Sequence, residues 1–120
     1  MRKTNCIMWL CNKEKRIILN HKTISELGNP SRISLWYDDD RKRLMLTPAN
    51  KNELDSYEIP PYFWKYPNHS CVISQIGLFE ALLLRIKLED GSKYSYLGIC
   101  IETKKLHAVV FDLSDGKRLR

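Results

Sequence analysis

Residues 16–48 read RIILNHKTISELGNPSRISLWYDDDRKRLMLTP and contain, in succession, the signals for a strand, a short helix and a hairpin. The apolar run at residues 17–19 predicts a strand. Asn20 suits a helix N-cap, because its side-chain oxygen can accept a hydrogen bond from a free backbone N–H of the first turn. Gly28 is typical of a helix end, and the proline two residues later prevents continuation. Alternation at 33–37 and 44–46, around a polar turn, predicts a hairpin.

A second and weaker copy of this pattern spans residues 70–113. It begins with an apolar strand at 71–73, continues with a helix, and ends in a hairpin whose turn is residues 102–105. The proposed equivalences are Asn20 with Ser74, Ile24 with Leu78 and Leu27 with Ala81. The alternative is coincidence, because strand–helix–hairpin is a common order and few residues are identical.

The length allows one domain, residues 1–120. Residues 1–14 predict an additional strand, apolar on both faces, that could cover a sheet edge or a partner's surface. By composition residues 49–69 form a linker, but their aromatic side chains indicate packing across the domain; a base-stacking platform for single strands is the alternative. The second helix, from residue 75 to about residue 87, is expected to be largely buried. Residues 114–120 are expected to form a frayed basic tail.

The net charge of +6 is unevenly distributed along the chain. Residues 1–22 hold six basic side chains and a single acid, Glu14. Such a patch suits a polyanion, because each base placed at a phosphate releases condensed counterions. An ordinary solvated surface is the alternative. No apolar run approaches a membrane span, and no signal peptide is recognised, so the chain is interpreted as cytoplasmic without membrane contact.

The cysteines and acids do not form a recognisable metal or catalytic pattern. Cys6 and Cys11 lack the tight spacing of zinc ligands, and Cys71 and Cys100 stand alone, so all four are interpreted as buried free thiols. Glycine-rich phosphate loops and nucleophile motifs are absent from the sequence. We therefore expect no metal, no cofactor and no enzymatic activity.

The first copy resembles the swapped-hairpin DNA-binding unit of the AbrB/MazE/MraZ superfamily. The resemblance rests on Arg16 before the first strand, on Leu27-Gly28 at the helix end, and on the two hairpin strands at 33–37 and 44–46. The chain departs from the family at Asn20, where the strand commonly ends in proline, and at Ile24 and Ser25, where many members carry arginines.

The resemblance implies a mainly β fold with short helices (α+β). Two strand–helix–hairpin repeats in one chain would form a swapped-hairpin, pseudo-dimeric barrel, as MraZ-like proteins join two such units. A unit of this size cannot bury enough apolar surface to fold alone, which is a physical reason for joining two.

The same resemblance, together with the basic patch, implies a small DNA-binding transcriptional regulator that contacts the phosphates of double-stranded DNA. Lys15 and Arg16 are expected to matter most, because they lead into the strand that the resemblance places against DNA. The full set of candidate nucleic-acid-binding residues is Lys13, Lys15, Arg16, Lys22 and Arg32, with Arg41, Lys42 and Arg43 at the hairpin tip.

The sequence is also consistent with two alternative functions. One is a protein-interaction module, antitoxin-like or a mobile-element accessory protein, that pairs with itself or another protein through the aromatic segment and the N-terminal strand. The other is a single-strand binder or nucleic-acid enzyme accessory.

Overall fold

The computed structural model describes the backbone of residues 2–119 and the side chains of residues 5–119. Arg2 and Lys3, which contribute to the N-terminal charge, have side chains outside this described part. The strands are β1 (Arg2–Cys11), β2 (Arg16–Leu19), β3 (Arg32–Asp38), β4 (Arg43–Ala49), β5 (Ser56–Glu58), β6 (Cys71–Ile73), β7 (Lys93–Glu102), β8 (His107–Asp112) and β9 (Lys117–Arg118). The helices are α1 (His21–Glu26), α2 (Pro61–Lys65) and α3 (Ile76–Leu83).

The strands form one antiparallel sheet in the order β5-β3-β4-β8-β7-β1-β2-β6, with β9 added beside β7. The sheet curls into a nearly closed barrel, and its two open edges are β5 and β6. The prediction of a mainly β fold with short helices is confirmed.

Three predictions from the first copy are confirmed: the helix cap, the glycine at the helix end and the hairpin. The Asn20 side chain accepts a hydrogen bond from the backbone N–H of Thr23 at 3.1 Å, so it caps α1 as predicted. Gly28 follows the helix with a φ of +85°, a conformation that glycine adopts without steric cost. The hairpin strands β3 and β4 pair Leu35 with Leu46.

The second copy has its elements in the predicted order, but the details of its helix differ. Gln75, and not Ser74, occupies the N-cap position of α3, and no side chain caps it. Phe79 and Leu82 are buried, whereas Ile76 at the start of the helix is 61% exposed. The prediction of a largely buried helix is therefore wrong, because only one face of α3 meets the core.

The barrel interior is filled by alternate side chains of the strands together with residues of the helices. Fully buried members include Met8, Leu10, Ile17, Leu19, Ile24, Leu27, Ile33, Leu44, Leu46, Phe63, Phe79 and Phe111. This alternation is what a sheet with one face toward the core requires.

Three flanking segments differ from their predictions. Strand β1 lies between β2 and β7 inside the sheet, so it does not cover a sheet edge. The segment 49–69 is not a simple linker, because it contributes β5 and α2. The expectation that its aromatics pack holds only in part. Phe63 is buried and stacks on His21 with ring centroids 4.1 Å apart, whereas Trp64 and Tyr66 are each 46% exposed. Strand β9 pairs with β7, so this part of the tail is not frayed.

The antiparallel order divides the surface into two ends. The β1–β2 turn, the β3–β4 turn, the α3–β7 loop and the β8–β9 turn share one end, which we call the Lys13 end. Helix α1 and the β7–β8 turn lie toward the opposite end, which we call the α1 end. No helix in the described part of the chain combines the length and apolar character needed to cross a membrane.

Candidate nucleic-acid interface

The predicted contact residues divide between the two ends of the barrel. Six of them lie at the Lys13 end, and these are Lys13, Lys15, Arg16, Arg41, Lys42 and Arg43. Lys22 lies in α1 and forms an ion pair with Glu26 at 2.9 Å. Arg32 begins β3 and donates hydrogen bonds to the hydroxyl and carbonyl of Ser56, at 2.6 and 2.8 Å. Internal contacts therefore hold Lys22 and Arg32, away from the other six.

Three cations surround a pocket of about 130 Å³ on the outer face at the Lys13 end. They are Lys13, Arg16 and Lys93, which we call the Lys13 cluster; Glu14 is the acid that lines the same pocket. The pairing of strands explains the arrangement, because Cys11 of β1 stands opposite Arg16 of β2 on one side and Lys93 of β7 on the other. Directly opposed residues of an antiparallel pair project from the same face.

The charges of the Lys13 cluster are not neutralised within the described part of the chain. None of its three members forms an ion pair with a described side chain. Arg16 also offers the planar donor fork that matches phosphate oxygens. The pocket therefore presents a positive potential that a phosphate group could satisfy.

Asn12, which is 2% exposed, holds the β1–β2 turn in place. Its side-chain amide donates to the carbonyls of Leu88 and Glu89, at 3.0 and 2.9 Å. Its backbone N–H donates to the carbonyl of Ser92 at 2.9 Å. These bonds fasten the turn that carries Lys13 to the loop that precedes Lys93.

Lys15 has a structural contact that its neighbour Arg16 lacks. Its backbone φ is +58°, and its ammonium donates to the side-chain oxygen of Asn12. The ammonium also lies 5.9 Å from the ring centroid of Phe79 in α3. Lys15 is therefore committed to the packing of the turn against α3 and does not line the pocket.

The tip of the β3–β4 hairpin carries balanced charge. Asp38 accepts hydrogen bonds from the backbone N–H groups of Asp40 and Arg41, which explains the run of acids as a turn. Arg43 stands between Asp38 and Asp112 in the sheet register. Hydrogen bonds from Ser114, and to a smaller extent the charge of Arg43, lower the pKa of Asp112.

Two members of the site, Asn12 and Lys93, were not predicted from sequence. Both acquire their roles through contacts between residues about eighty positions apart, and the pattern around each contains no local signal for that pairing. The cysteines behave as predicted, since all four are buried and none forms a disulfide. Burial raises the pKa of Cys71 to about 12, which keeps this thiol protonated and unreactive at neutral pH.

One group of side chains away from this site has atoms close enough to share a metal ion. Ligand atoms of Glu26, Cys100 and Glu102 lie within 4.8 Å of one another. The Cys100 sulfur lies 3.0 Å from Oε2 of Glu26, and the ammonium of Lys22 lies beside the other carboxylate oxygen. A cation there would have to compete with that ammonium for Glu26.

Comparisons with protein-family models, with curated proteins and with solved structures find no match for this chain.

Proposed function

We propose that the protein binds double-stranded DNA by placing backbone phosphates against the Lys13 cluster, and that it acts as a small transcriptional regulator. The observation that carries this proposal is the convergence of Lys13 and Arg16 with Lys93, from two distant segments of the chain, around one pocket. A phosphate in that position releases counterions from the duplex, which drives binding without regard to base sequence.

Preorganisation favours this site over a mobile basic surface. Asn12 fixes the turn before any ligand arrives, so less conformational freedom is lost on binding. Arg16 projects from a paired strand and supplies a two-pronged donor, whereas Lys13 and Lys93 act as point charges on either side.

We further propose that the barrel consists of two swapped-hairpin units, as the resemblance implies. In support, Ile18 pairs with Val72, and these are equivalent positions of the two copies. Met45 of the first hairpin pairs with Val110 of the second.

The helix contacts of the two copies are also reciprocal. Glu26 of α1 meets Cys100 of the second hairpin at 3.0 Å. Arg85, just after α3, lies over Tyr37 of the first hairpin, 4.9 Å from the ring centroid. Helix α1 therefore contacts the hairpin of the second copy, and the segment just after α3 contacts the hairpin of the first, as an exchange of hairpins requires.

The salt dependence of duplex binding tests the DNA-binding proposal. Replacing Lys13 and Lys93 with alanine should reduce the slope of log affinity against log salt by about 0.9 for each lost phosphate contact. The matched control is Lys104→Ala with Lys105→Ala, which removes the same charge from the exposed β7–β8 turn at the α1 end. This control should leave the slope near that of the parent protein.

Equal slopes for the two double variants would reject the assignment of phosphates to the Lys13 cluster. Weak and salt-insensitive binding by the parent protein would reject DNA binding altogether. In that case the protein-interaction alternative becomes the better account, with the half-exposed rings of Trp64 and Tyr66 as the surface to test.

A further inference from the structure

A second and larger cavity opens at the Lys13 end, beside the mouth of the barrel. It has a volume of about 390 Å³, which lies within the range of small-molecule sites in proteins. Its walls come from the β3–β4 turn, the segment after α3, the start of β7 and the β8–β9 turn. Its lining residues include Lys42, Arg85, Lys87, Tyr94, Tyr96 and Gly116.

Tyr96 carries a polar group that the protein leaves unused. The side chain is 3% exposed and lines the cavity, and no hydrogen bond joins its hydroxyl to another described residue. Because no fully buried side-chain nitrogen or oxygen among the described residues lacks a partner, this hydroxyl is open to solvent in the cavity. A hydroxyl that opens into a cavity can donate to a molecule bound there in place of water. Burial, and to a smaller extent the neighbouring Tyr94, raises the pKa of Tyr96 to about 12, so the hydroxyl is a proton donor at neutral pH.

The charge on the cavity wall is positive, and two of its cations are uncommitted. Neither Lys42 nor Lys87 forms an ion pair with a described residue. Arg85 is held in place instead, because it contacts Asp39 at 3.4 Å and donates to the carbonyl of Ala81 at 2.9 Å. No acidic side chain lines the cavity among the described residues.

Tyr94 and Tyr96 form the aromatic part of the cavity wall. A Cβ atom on Gly116 would lie 2.4 Å from the Tyr96 ring, so only glycine lets the β8–β9 turn pass this close. Tyr94 and the apolar side chains of Leu88 and Leu113 complete a surface on which a ring could stack.

We propose that this cavity binds a small aryl anion, an aromatic ring that carries a phosphate or carboxylate group. The ring packs against Tyr94 and the apolar wall, the anionic group lies between Lys42 and Lys87, and the hydroxyl of Tyr96 donates to the ligand. This site is separate from the Lys13 cluster and goes beyond duplex binding.

Calorimetric titration of the full chain, without DNA, tests the proposal. The probe is phenyl phosphate. Inorganic phosphate tests the anionic group alone, and benzyl alcohol tests an uncharged aromatic ring alone. Phenyl phosphate should bind saturably, and each half alone should bind at least about tenfold more weakly, because it forms only part of the contacts. Benzoate should also bind saturably, because its carboxylate can take the place of the phosphate group.

Two variants address the assigned contacts. Tyr96→Phe should weaken phenyl phosphate binding about tenfold through the lost hydrogen bond, yet it should leave the unliganded protein at least as stable as the parent. Lys42→Ala combined with Lys87→Ala should abolish the preference for phenyl phosphate over benzyl alcohol. The control variants Lys104→Ala with Lys105→Ala, and Lys13→Ala with Lys93→Ala, should retain the parent affinity.

Several results would overturn the proposal. They are the absence of saturable binding of phenyl phosphate or benzoate, equal binding of inorganic phosphate, and full affinity in both cavity variants. A marked loss of stability in unliganded Tyr96→Phe would also overturn it, because the hydroxyl would then have a partner within the protein. Since the Lys13 and Lys93 variant is a control here, failure of duplex binding is distinguishable from failure of this site.

Discussion

The side-chain amide of Asn12 donates to the backbone carbonyl of Glu89 at 2.9 Å, joining residues 77 positions apart in the sequence. The same amide donates to the carbonyl of Leu88, so both of its hydrogens are used in a site that is almost closed to water. This link between the β1–β2 turn and the α3–β7 loop sets the position of the Lys13 cluster.

Asn12→Asp should destabilise the protein by about 2–4 kcal/mol, because it places a carboxylate against two carbonyl oxygens. Urea unfolding gives this difference. Asn12→Ala should cost less, since it removes the donor without introducing a charge. Equal stability of parent and Asn12→Asp would show that the amide does not hold the two segments together.

Gly98 of β7 faces the core at a point of close approach. A Cβ atom there would lie 2.7 Å from Val109 and 2.9 Å from Phe111. Gly98→Ala should therefore cost about 1–3 kcal/mol in unfolding free energy through overpacking. Gly77, near the start of α3, is the matched control, because a Cβ there meets nothing within 4 Å. Gly77→Ala should be neutral or stabilising by up to about 1 kcal/mol. Similar losses of stability in Gly98→Ala and Gly77→Ala would contradict the close packing around Gly98.

The two faces of α3 should respond differently to truncation. Phe79→Ala or Leu82→Ala should cost about 2–5 kcal/mol, because each removes a buried side chain and leaves a cavity. Leu84→Ala, at the C-cap of α3, should change stability by less than about 0.5 kcal/mol, because Leu84 is exposed. If the buried variants lose less than about 1 kcal/mol, α3 is not a core element.

Stability should fall as the pH rises above 9. Burial raises the pKa of Cys71 from its ordinary 9.0 to about 12 and that of Tyr96 from 10.0 to about 12. The unfolded chain releases these protons first, so the stability present below pH 9 is lost between about pH 9 and 12 at up to about 1.4 kcal/mol per unit for each group. Cys71→Ala and Tyr96→Phe should each flatten the decline in urea unfolding. An unchanged slope in both variants would assign the alkaline loss to other groups.

The parts of the fold that sequence predicted are those with local causes. Asn20 caps the turn that follows it, and Gly28 ends the helix before it, so each signal and its effect lie within a few residues. Gln75 shows the limit of this reasoning, because the chain continues extended past Ser74 and the helix begins one residue late without a side-chain cap.

The remaining features depend on pairing between distant residues. Strand β1 was predicted from its apolar residues. Its place beside β7 depends on the pairing of Ile7 with Leu97, and the alternation of residues in a sequence does not specify such a partner. Likewise, the charge of Arg16 was evident from the sequence. The position of Lys93 near it follows only from strand pairing, because Cys11 pairs with Arg16 on one side and with Lys93 on the other.

Lys15 and Arg16 are adjacent in sequence, and the structure gives them different roles. Arg16→Met should reduce the salt slope of duplex binding by about 0.9 while changing stability by less than about 0.5 kcal/mol, because Arg16 lines the pocket without an internal ion pair. Lys15→Met should leave the slope unchanged and cost about 1–2 kcal/mol, since Asn12 would lose a charged donor. Both variants remove one charge, so nonspecific electrostatics cannot separate them. The measurements are duplex titration at a series of salt concentrations and urea unfolding. A slope that falls equally in both variants would mean that Lys15 leaves Asn12 to contact phosphate.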